Sequence, residues 1–323
     1  MFVKRTITGV ILAIVLIGVI LASHFVSAIF VDILILIATA GAVFELHQCF
    51  KGMGRKMFIA PSVIVLTLSY PAFYLMQYYL GASEGVKTNI GFIGIFVVLV
   101  IGVMATLIEF TFRPSKDVEA SEMSEEALKD GCNIKDLFAN VFVLLYPTTF
   151  MALAWGLSYK YYSVFTILLA IAIPCGCDCF AYWVGSLIKG KKLCPKLSPK
   201  KTISGAVGGL FGGMAVSIIF WTVFEYFENI VSVAPSGQVY QHIISHSISG
   251  WEWKSALIFL AIGLVGAVAG QIGDLVASRI KRAIGVKDYG KIFPGHGGIM
   301  DRLDSITFSL VVMTIAMFCI YGY

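Results

Sequence analysis

The segment from Gly273 to Ser305 contains the residues whose types and spacing could do chemistry. It carries 10 charged residues in 33 positions, and two strongly apolar segments flank it. Ionisable groups beside membrane spans are costly to place, so such a cluster is a candidate functional site. Its carboxylates and cations are Asp274, Asp288, Asp301, Asp304, Arg279, Lys281, Arg282, Lys287, Lys291 and Arg302.

The first half of this segment predicts a polar helix face. On a helix, Asp274, Ser278 and either Lys281 or Arg282 lie along one side, because residues three or four apart are neighbours. A carboxylate, a hydroxyl and a cation would then line one cavity.

The second half predicts a turn that binds an anion, followed by an acidic helix start. Residues 294–298 read Pro-Gly-His-Gly-Gly, and the glycines, including Gly297 and Gly298, would let backbone N–H groups approach an anion. Asp301 and Asp304 then share a face at i, i+3.

Carboxylates among cations beside a glycine-rich turn indicate metal-assisted phosphoryl or nucleotidyl transfer. The acids would hold Mg²⁺, and lysine and arginine would stabilise charge on a leaving pyrophosphate. A structural salt-bridge cluster would explain the charges but not the turn, and an anion transporter would need fewer acids.

A second basic loop precedes residue 203 and contains Ser198-Pro199-Lys200-Lys201-Thr202. Phosphate binding is one interpretation of this loop, and a topology signal or a contact with anionic lipid head groups is the other. Its two prolines favour an ordered phosphate-binding loop, since a topology signal needs charge but no fixed geometry.

Asp178 lies inside an apolar segment, which makes it a functional candidate by default. Helical spacing places it on one face with Tyr182 and Gly185, so we expect it to point into the helix bundle. The cysteines at 175, 177 and 179 alternate around such a helix and are not expected to converge on a metal ion.

Composition makes this an all-α, polytopic membrane protein. The 323 residues are 58% hydrophobic and 13% charged, with a mean hydropathy of +0.87. Segments of about 20 apolar residues predict about nine transmembrane helices. They lie near 6–22, 28–48, 58–80, 90–112, 136–157, 164–187, 204–228, 255–277 and 305–322.

Basic residues predict the orientation of these spans. With a cytoplasmic N-terminus and an external C-terminus, 21 of the 24 lysines and arginines fall on the cytoplasmic side. Loops 188–203 and 279–304 would then face the cytoplasm. Because topology accounts for the positive charge, we expect no nucleic-acid partner, and the seven cysteines suggest reduced thiols.

We predict two parts in the chain. Residues 1–160 form spans 1–5, which look like plain apolar helices, with an acidic, solvated cytoplasmic loop at 115–136. Residues 161–323 form spans 6–9, a catalytic bundle. GxxxG pairs at Gly208 and Gly212, at Gly209 and Gly213, and at Gly266 and Gly270 predict close helix packing there.

The chemistry-bearing residues together resemble the signature of the phosphatidate cytidylyltransferase (CDP-diacylglycerol synthase) family. The resemblance covers roughly residues 174–305. The chain departs from the family pattern in having Ser204 and Ala277 where the family usually has Glu. The matching residues are Asp178, Ala181, Tyr182, Gly185, Ser198 to Thr202, Gly273 to Leu275, Ser278, Lys281, Arg282, Lys287, Asp288, Pro294, His296 to Gly298, Asp301, Arg302 and Asp304.

The resemblance implies that CTP and phosphatidate react to give CDP-diacylglycerol and pyrophosphate in a Mg²⁺-dependent step. It implies that Asp274 and Asp301 are metal ligands. The other expected catalytic residues are Asp304, Asp178, Lys287 and Arg302, and the expected substrate-binding residues are Ser198, Lys200, Lys201, Ser278, Lys281, Arg282, His296, Gly297 and Gly298.

Several alternatives stay open at this point. A CTP-dependent lipid kinase of the polyprenol type would transfer phosphate and release CDP, and an anion transporter would use Asp178. Whether a monovalent cation joins Mg²⁺ and whether the chain forms a homodimer are also open. We expect a prokaryotic cytoplasmic membrane, with the active site on its cytoplasmic side.

Overall fold

The structure, a computed structural model, consists of long helices and, within the part it describes, one short β hairpin. It describes residues 15, 18–19, 29–81, 91–113, 131–160, 164–195, 197–230, 253–293 and 297–321. The helices are α1 (Ile29–Gly52), α2 (Ile59–Gly81), α3 (Gly91–Thr111), α4 (Ile134–Lys160), α5 (Val164–Ile188), α6 (Ile203–Ile230), α7 (Trp253–Ile284) and α8 (Met300–Tyr321). The hairpin pairs β1 (Lys192–Cys194) with β2 (Ser198–Thr202) in antiparallel orientation.

Among the described helices, the seven from α1 to α7 are long and apolar enough to cross a membrane. The prediction of an all-α integral membrane protein is therefore confirmed. Helix α8 coincides with the last predicted span and carries Asp301, Arg302 and Asp304 in its first turns. The predicted span at 6–22 and residues 115–130 of the acidic loop fall outside the described residues, apart from residues 15 and 18–19. The count of nine and the orientation of the termini stay predictions.

The chain folds as two compact units. The first unit comprises Met1–Gly156 and Ala283–Arg302, and the second comprises Leu157–Arg282 and Leu303–Tyr323. The predicted functional division at residue 160 stays a prediction.

Within the first unit, a buried polar network connects α4 with the start of α2. Asn140 accepts a hydrogen bond from the Phe58 N–H at 2.6 Å and donates to the Lys56 carbonyl at 2.8 Å. It also donates to the Asp136 carbonyl one helical turn earlier at 2.8 Å. Since buried backbone groups need partners, this side chain fixes the chain where it enters α2.

Within the second unit, glycines allow close packing of the helices, as the GxxxG pairs predict. A Cβ atom at Gly213 would lie 2.6 Å from the Ala267 Cβ, and one at Gly209 would lie 2.9 Å from the Cys177 carbonyl oxygen. Cys177 is buried, whereas Cys175 and Cys179 are exposed. Cys177 therefore lies on a different face of the helix from the other two, and the expectation that the three do not share a metal ion stays a prediction.

Candidate active site

The structure divides the predicted site residues between the two units, and each group is described within its own unit. The first unit contains Lys287, Gly297, Gly298, Asp301 and Arg302. The second contains Asp178, Ser198, Lys200, Lys201, Asp274, Ser278, Lys281, Arg282 and Asp304. His296 lies outside the described residues.

In the first unit, Asp301 organises the segment that connects α7 to α8. Its Oδ2 accepts hydrogen bonds from the N–H groups of Tyr289 and Gly298, both at 2.9 Å, and a longer one from Gly290 at 3.4 Å. Only 9% of Asp301 is exposed. The anion that the Gly298 N–H contacts in the structure is therefore this carboxylate. A contact of the turn with a substrate phosphate stays a prediction.

Local backbone geometry explains how this segment turns twice. Helix α7 ends at Ile284, and Gly285 follows with a φ of 78°, a left-handed conformation typical of the residue after a helix. Gly297 has a φ of 83°, and the Phe293 N–H donates to its carbonyl at 2.9 Å. Both positions suit glycine, because a left-handed backbone strains other residues.

Glu45 of α1 is a residue that the sequence analysis missed. Only 3% of it is exposed, and its two carboxylate oxygens accept the N–H groups of Ile299 at 2.9 Å and Met300 at 2.8 Å. The expectation that spans 1–5 are plain apolar helices was therefore wrong for α1. A carboxylate well inside an apolar span was the available signal, the same one that drew attention to Asp178.

A cavity of about 600 Å³ lies in the first unit beside this segment. The end of α1 contributes Gln48 and Cys49, and the connecting segment contributes Lys287, Asp288 and Lys291. Lys287, predicted to act on phosphate, thus lines a space whose volume is typical of small-molecule sites.

In the second unit, Lys201 and Asp274 form an ion pair. About a quarter of each side chain is exposed, 29% for Lys201 and 25% for Asp274. Strand β2 positions the lysine, and Lys200 beside it is exposed, while Ser198 is half-buried. The structure therefore brings together one predicted metal ligand and one predicted phosphate ligand.

The end of β2 is fixed by helix capping. Thr202 directly precedes α6, and its Oγ1 accepts a hydrogen bond from the Gly205 N–H at 3.1 Å. This is the usual arrangement of a threonine N-cap. Ser204, at the position where the family usually has Glu, donates to the Lys189 carbonyl. The basic loop is therefore an ordered hairpin, as its prolines suggested.

A second acid–cation pair links α7 with α8. The Lys281 Nζ lies 3.5 Å from Asp304 Oδ2, and the two side chains are 12% and 7% exposed. Ser278 is half-buried one turn earlier on α7, whereas Arg282 and Arg302 are exposed. The predicted helix face thus brings Lys281 to a carboxylate, but that carboxylate belongs to Asp304 of α8 and not to Asp274.

Asp178 does not point into the bundle, contrary to our expectation. Its side chain is exposed, and Tyr182 is 73% exposed. Helix α5 instead packs against α6 along a stripe that includes Gly176, Phe180 and Val184. Gly185, which shares the face of Asp178, also lies against α6, where an added Cβ atom would be 3.3 Å from the Gly205 Cα, so Asp178 lies at the exposed edge of the packed face.

The chemistry of the donors fits Mg²⁺. Asp274 and Asp301 offer hard carboxylate oxygens, and Asp274 is partly exposed. Among the residues that the structure describes, no group of three or more His, Cys, Asp or Glu is placed to hold a metal. Mg²⁺ usually takes only one or two protein carboxylates, with water and substrate phosphates completing its shell, so such a group is not required.

The comparisons with known proteins agree with these features. A model of the cytidylyltransferase family matches residues 3–320. The phosphatidate cytidylyltransferase of Bacillus subtilis strain 168 is 29% identical over 305 residues, which cover 94% of this chain and 93% of that protein. The phosphatidate cytidylyltransferase of Staphylococcus aureus strain COL is 36% identical over 151 residues, 47% of this chain. That match spans about half the length of the staphylococcal protein, 48%.

Proposed function

The chain belongs to the cytidylyltransferase family, and from this premise we propose that it is a phosphatidate cytidylyltransferase. It transfers CMP from CTP to phosphatidate and yields CDP-diacylglycerol and pyrophosphate for phospholipid synthesis. The observation that carries the proposal is the similarity to the Bacillus subtilis phosphatidate cytidylyltransferase over 94% of this chain. The acid–cation pairs and the ordered basic hairpin described above support it.

In the proposed reaction, a phosphate oxygen of phosphatidate attacks the α-phosphorus of CTP. A new P–O bond forms, the bond between the α-phosphorus and the oxygen that bridges to the β-phosphorus breaks, and pyrophosphate leaves. A phosphate monoester has its second pKa near about 6, so it is already an anion near neutral pH and needs no strong general base. Catalysis then rests on positioning the two substrates and on stabilising charge.

The cations of the second unit are suited to bind phosphate. Lys201 and Lys281 already lie beside carboxylates, so their ammonium groups are held in place before substrate binds. Ser198, Ser278, Lys200 and Arg282 are further phosphate ligands in this proposal. In the first unit, Lys287 contacts the nucleotide from the cavity, and Arg302 neutralises developing charge.

Asp274 and Asp301 would hold Mg²⁺, which neutralises phosphate charge when it is bound. Asp304, which holds Lys281, and Asp178 are supporting carboxylates in this proposal. Repeating the same assays without the monovalent salt tests whether a monovalent cation takes part.

CTP enters from the cytoplasm and the lipid from the bilayer. The distribution of lysine and arginine supports this orientation, since it assigns both basic loops to the cytoplasmic side. The bacterial relatives fit a prokaryotic cell membrane. A homodimer stays a prediction, to be tested by the mass of the purified protein in detergent.

The experiment that tests the proposal follows the fate of labelled CTP with phosphatidate and purified protein in detergent micelles. We expect the cytidine label in the lipid together with stoichiometric pyrophosphate, dependent on Mg²⁺. Phosphate label in the lipid together with CDP would indicate a lipid kinase. No lipid product from a folded protein would refute the proposed activity.

A matched pair of variants connects the activity to the site. Asp274→Asn removes a predicted metal ligand, and we expect it to abolish turnover. Glu109→Gln changes an acid of α3 that pairs with Arg113 at 2.7 Å and is not among the predicted site residues, so it serves as the control. Equal activity of the two variants would contradict the assignment of Asp274.

A further inference from the structure

We infer that Glu45 is a positioning residue, which holds the start of α8 so that Asp301 has the geometry that nucleotidyl transfer requires. This inference rests on the proposed function. Glu45 would touch neither substrate nor reacting atoms. Its role would be exerted through the backbone of the two residues that precede Asp301.

The contacts of Glu45 are specific. Each of its carboxylate oxygens accepts one backbone N–H, that of Ile299 at 2.9 Å and that of Met300 at 2.8 Å. Met300 is the first residue of α8, and these N–H groups lack partners within the helix. The carboxylate thus caps α8 from 254 residues away in the sequence.

The connecting segment is built to admit this carboxylate. A Cβ atom at Gly290 or at Gly298 would overlap the carboxyl group of Glu45. Gly290 and Gly298 also donate their N–H groups to Asp301. The two glycines therefore lie between two carboxylates, and Glu45 and Asp301 fix the same stretch of backbone.

Two considerations favour positioning over simple capping. Burying a carboxylate in a membrane span is costly, and a small hydroxyl or amide residue caps most helices at a lower desolvation cost. Partners that orient a metal-binding group typically change metal affinity or activity by about 10-fold to 100-fold when they are mutated. Glu45 holds the residue next to a predicted metal ligand, which is where such an effect is expected.

The test compares Glu45→Gln with Glu109→Gln as the matched control in the full-length protein. Glutamine keeps one acceptor oxygen but replaces the other with a donor facing an N–H. We expect kcat to fall about 10-fold to 100-fold and the half-activating Mg²⁺ concentration to rise, whereas KM for CTP changes less than about threefold. The Glu109→Gln control should match the wild type in kcat, in the half-activating Mg²⁺ concentration and in KM for CTP.

A readout independent of activity is amide hydrogen–deuterium exchange. Peptides that cover residues 285–303 should exchange faster in Glu45→Gln, and those of α4 should not. Gly290→Ala perturbs the same contact from the loop side and should reproduce both effects, so the inference stays testable even if the Glu45 variant unfolds.

The outcomes separate the inference from the proposed function. If the wild type has cytidylyltransferase activity and Glu45→Gln leaves kcat and the Mg²⁺ dependence unchanged, the positioning role is overturned. Faster exchange and lower thermal stability without any kinetic change would also overturn it, because Glu45 would then be a structural cap only. An inactive wild type would refute the proposed function, and unchanged exchange in both variants would refute the positioning by itself.

Discussion

Asp301 combines a charge with a hydrogen-bond acceptor, and two substitutions separate them. Asp301→Ala removes the acceptor of the Tyr289 and Gly298 N–H groups, which lie at 2.9 Å, and of the longer Gly290 contact. Asp301→Asn removes the charge but can leave an amide oxygen in place of Oδ2.

The structure gives the magnitude of both effects. Tyr289 is 4% exposed, and Gly298 is buried, so both donors would lose their partner away from water in the alanine variant. At about 1–3 kcal/mol for each unsatisfied buried group, the loss is about 2–6 kcal/mol. At about 2–4 °C per kcal/mol, this corresponds to a decrease in Tm of roughly 4–24 °C.

For Asp301→Asn we expect a decrease of Tm below about 5 °C, because neutral hydrogen bonds replace charge-assisted ones without leaving donors unpaired. We expect turnover to fall at least about 100-fold, since the predicted metal ligand has lost its charge. Thermal unfolding in detergent and CDP-diacylglycerol formation from labelled CTP measure the two quantities. Equal destabilisation by Asn and Ala would refute the acceptor role, and an active Asn variant would refute the role of the charge.

Three further predictions concern the second unit and the metal. Lys201→Gln should change the free energy of unfolding by less than about 1 kcal/mol, because its pair with Asp274 is partly exposed. It should nevertheless lower kcat/KM about 10-fold or more. A decrease in kcat/KM that is accompanied by a comparable loss of folded protein would contradict a substrate role. Thr202→Ala should lower stability by about 1 kcal/mol, measured by thermal unfolding, whereas Thr202→Ser should keep the cap to the Gly205 N–H. Chelation by EDTA should abolish product formation, and excess Mg²⁺ should restore it; full activity in EDTA would exclude the divalent-metal requirement.

Seven of the predicted spans correspond to described helices that are long and apolar enough to cross a membrane. They could be recognised in the sequence because the length of an apolar run must match the thickness of the bilayer. Glycine spacing likewise predicted close packing in the second unit, since a missing side chain is what allows helices to approach. Both signals are local, and each can be detected within a window of about 20 residues.

The orientation of Asp178 shows the limit of such local signals. Helical periodicity states which residues share a face, but it does not state which face packs against a neighbour. The residues of α5 that lie against α6 include Gly176, Phe180, Val184 and Gly185, and this choice depends on the shape of α6. Periodicity therefore predicted that Asp178, Tyr182 and Gly185 share a face, but not that the first two are exposed while Gly185 packs against α6.

The contacts of Asp301 depend on residues far apart in the sequence. The segment around Gly290 and Gly298 takes its conformation from two carboxylates, of which Glu45 lies on a helix that the sequence analysis considered plain. No spacing rule connects an acid of α1 to amides some 250 residues later. An inventory of carboxylates within apolar runs would have identified Glu45 as a candidate, although it would not have named its partners.

The geometry also limits how Asp301 can serve a metal. Its Oδ2 accepts three backbone N–H groups, so that oxygen already stabilises the segment that carries the glycine-rich turn. In its proposed role as a metal ligand, Asp301 would combine these backbone contacts with binding of Mg²⁺, whose remaining positions water and phosphate can fill. Because Asp301 both holds this segment and is a proposed metal ligand, we expect Glu45, which accepts the N–H groups of the two preceding residues, to affect the reaction through the backbone they share.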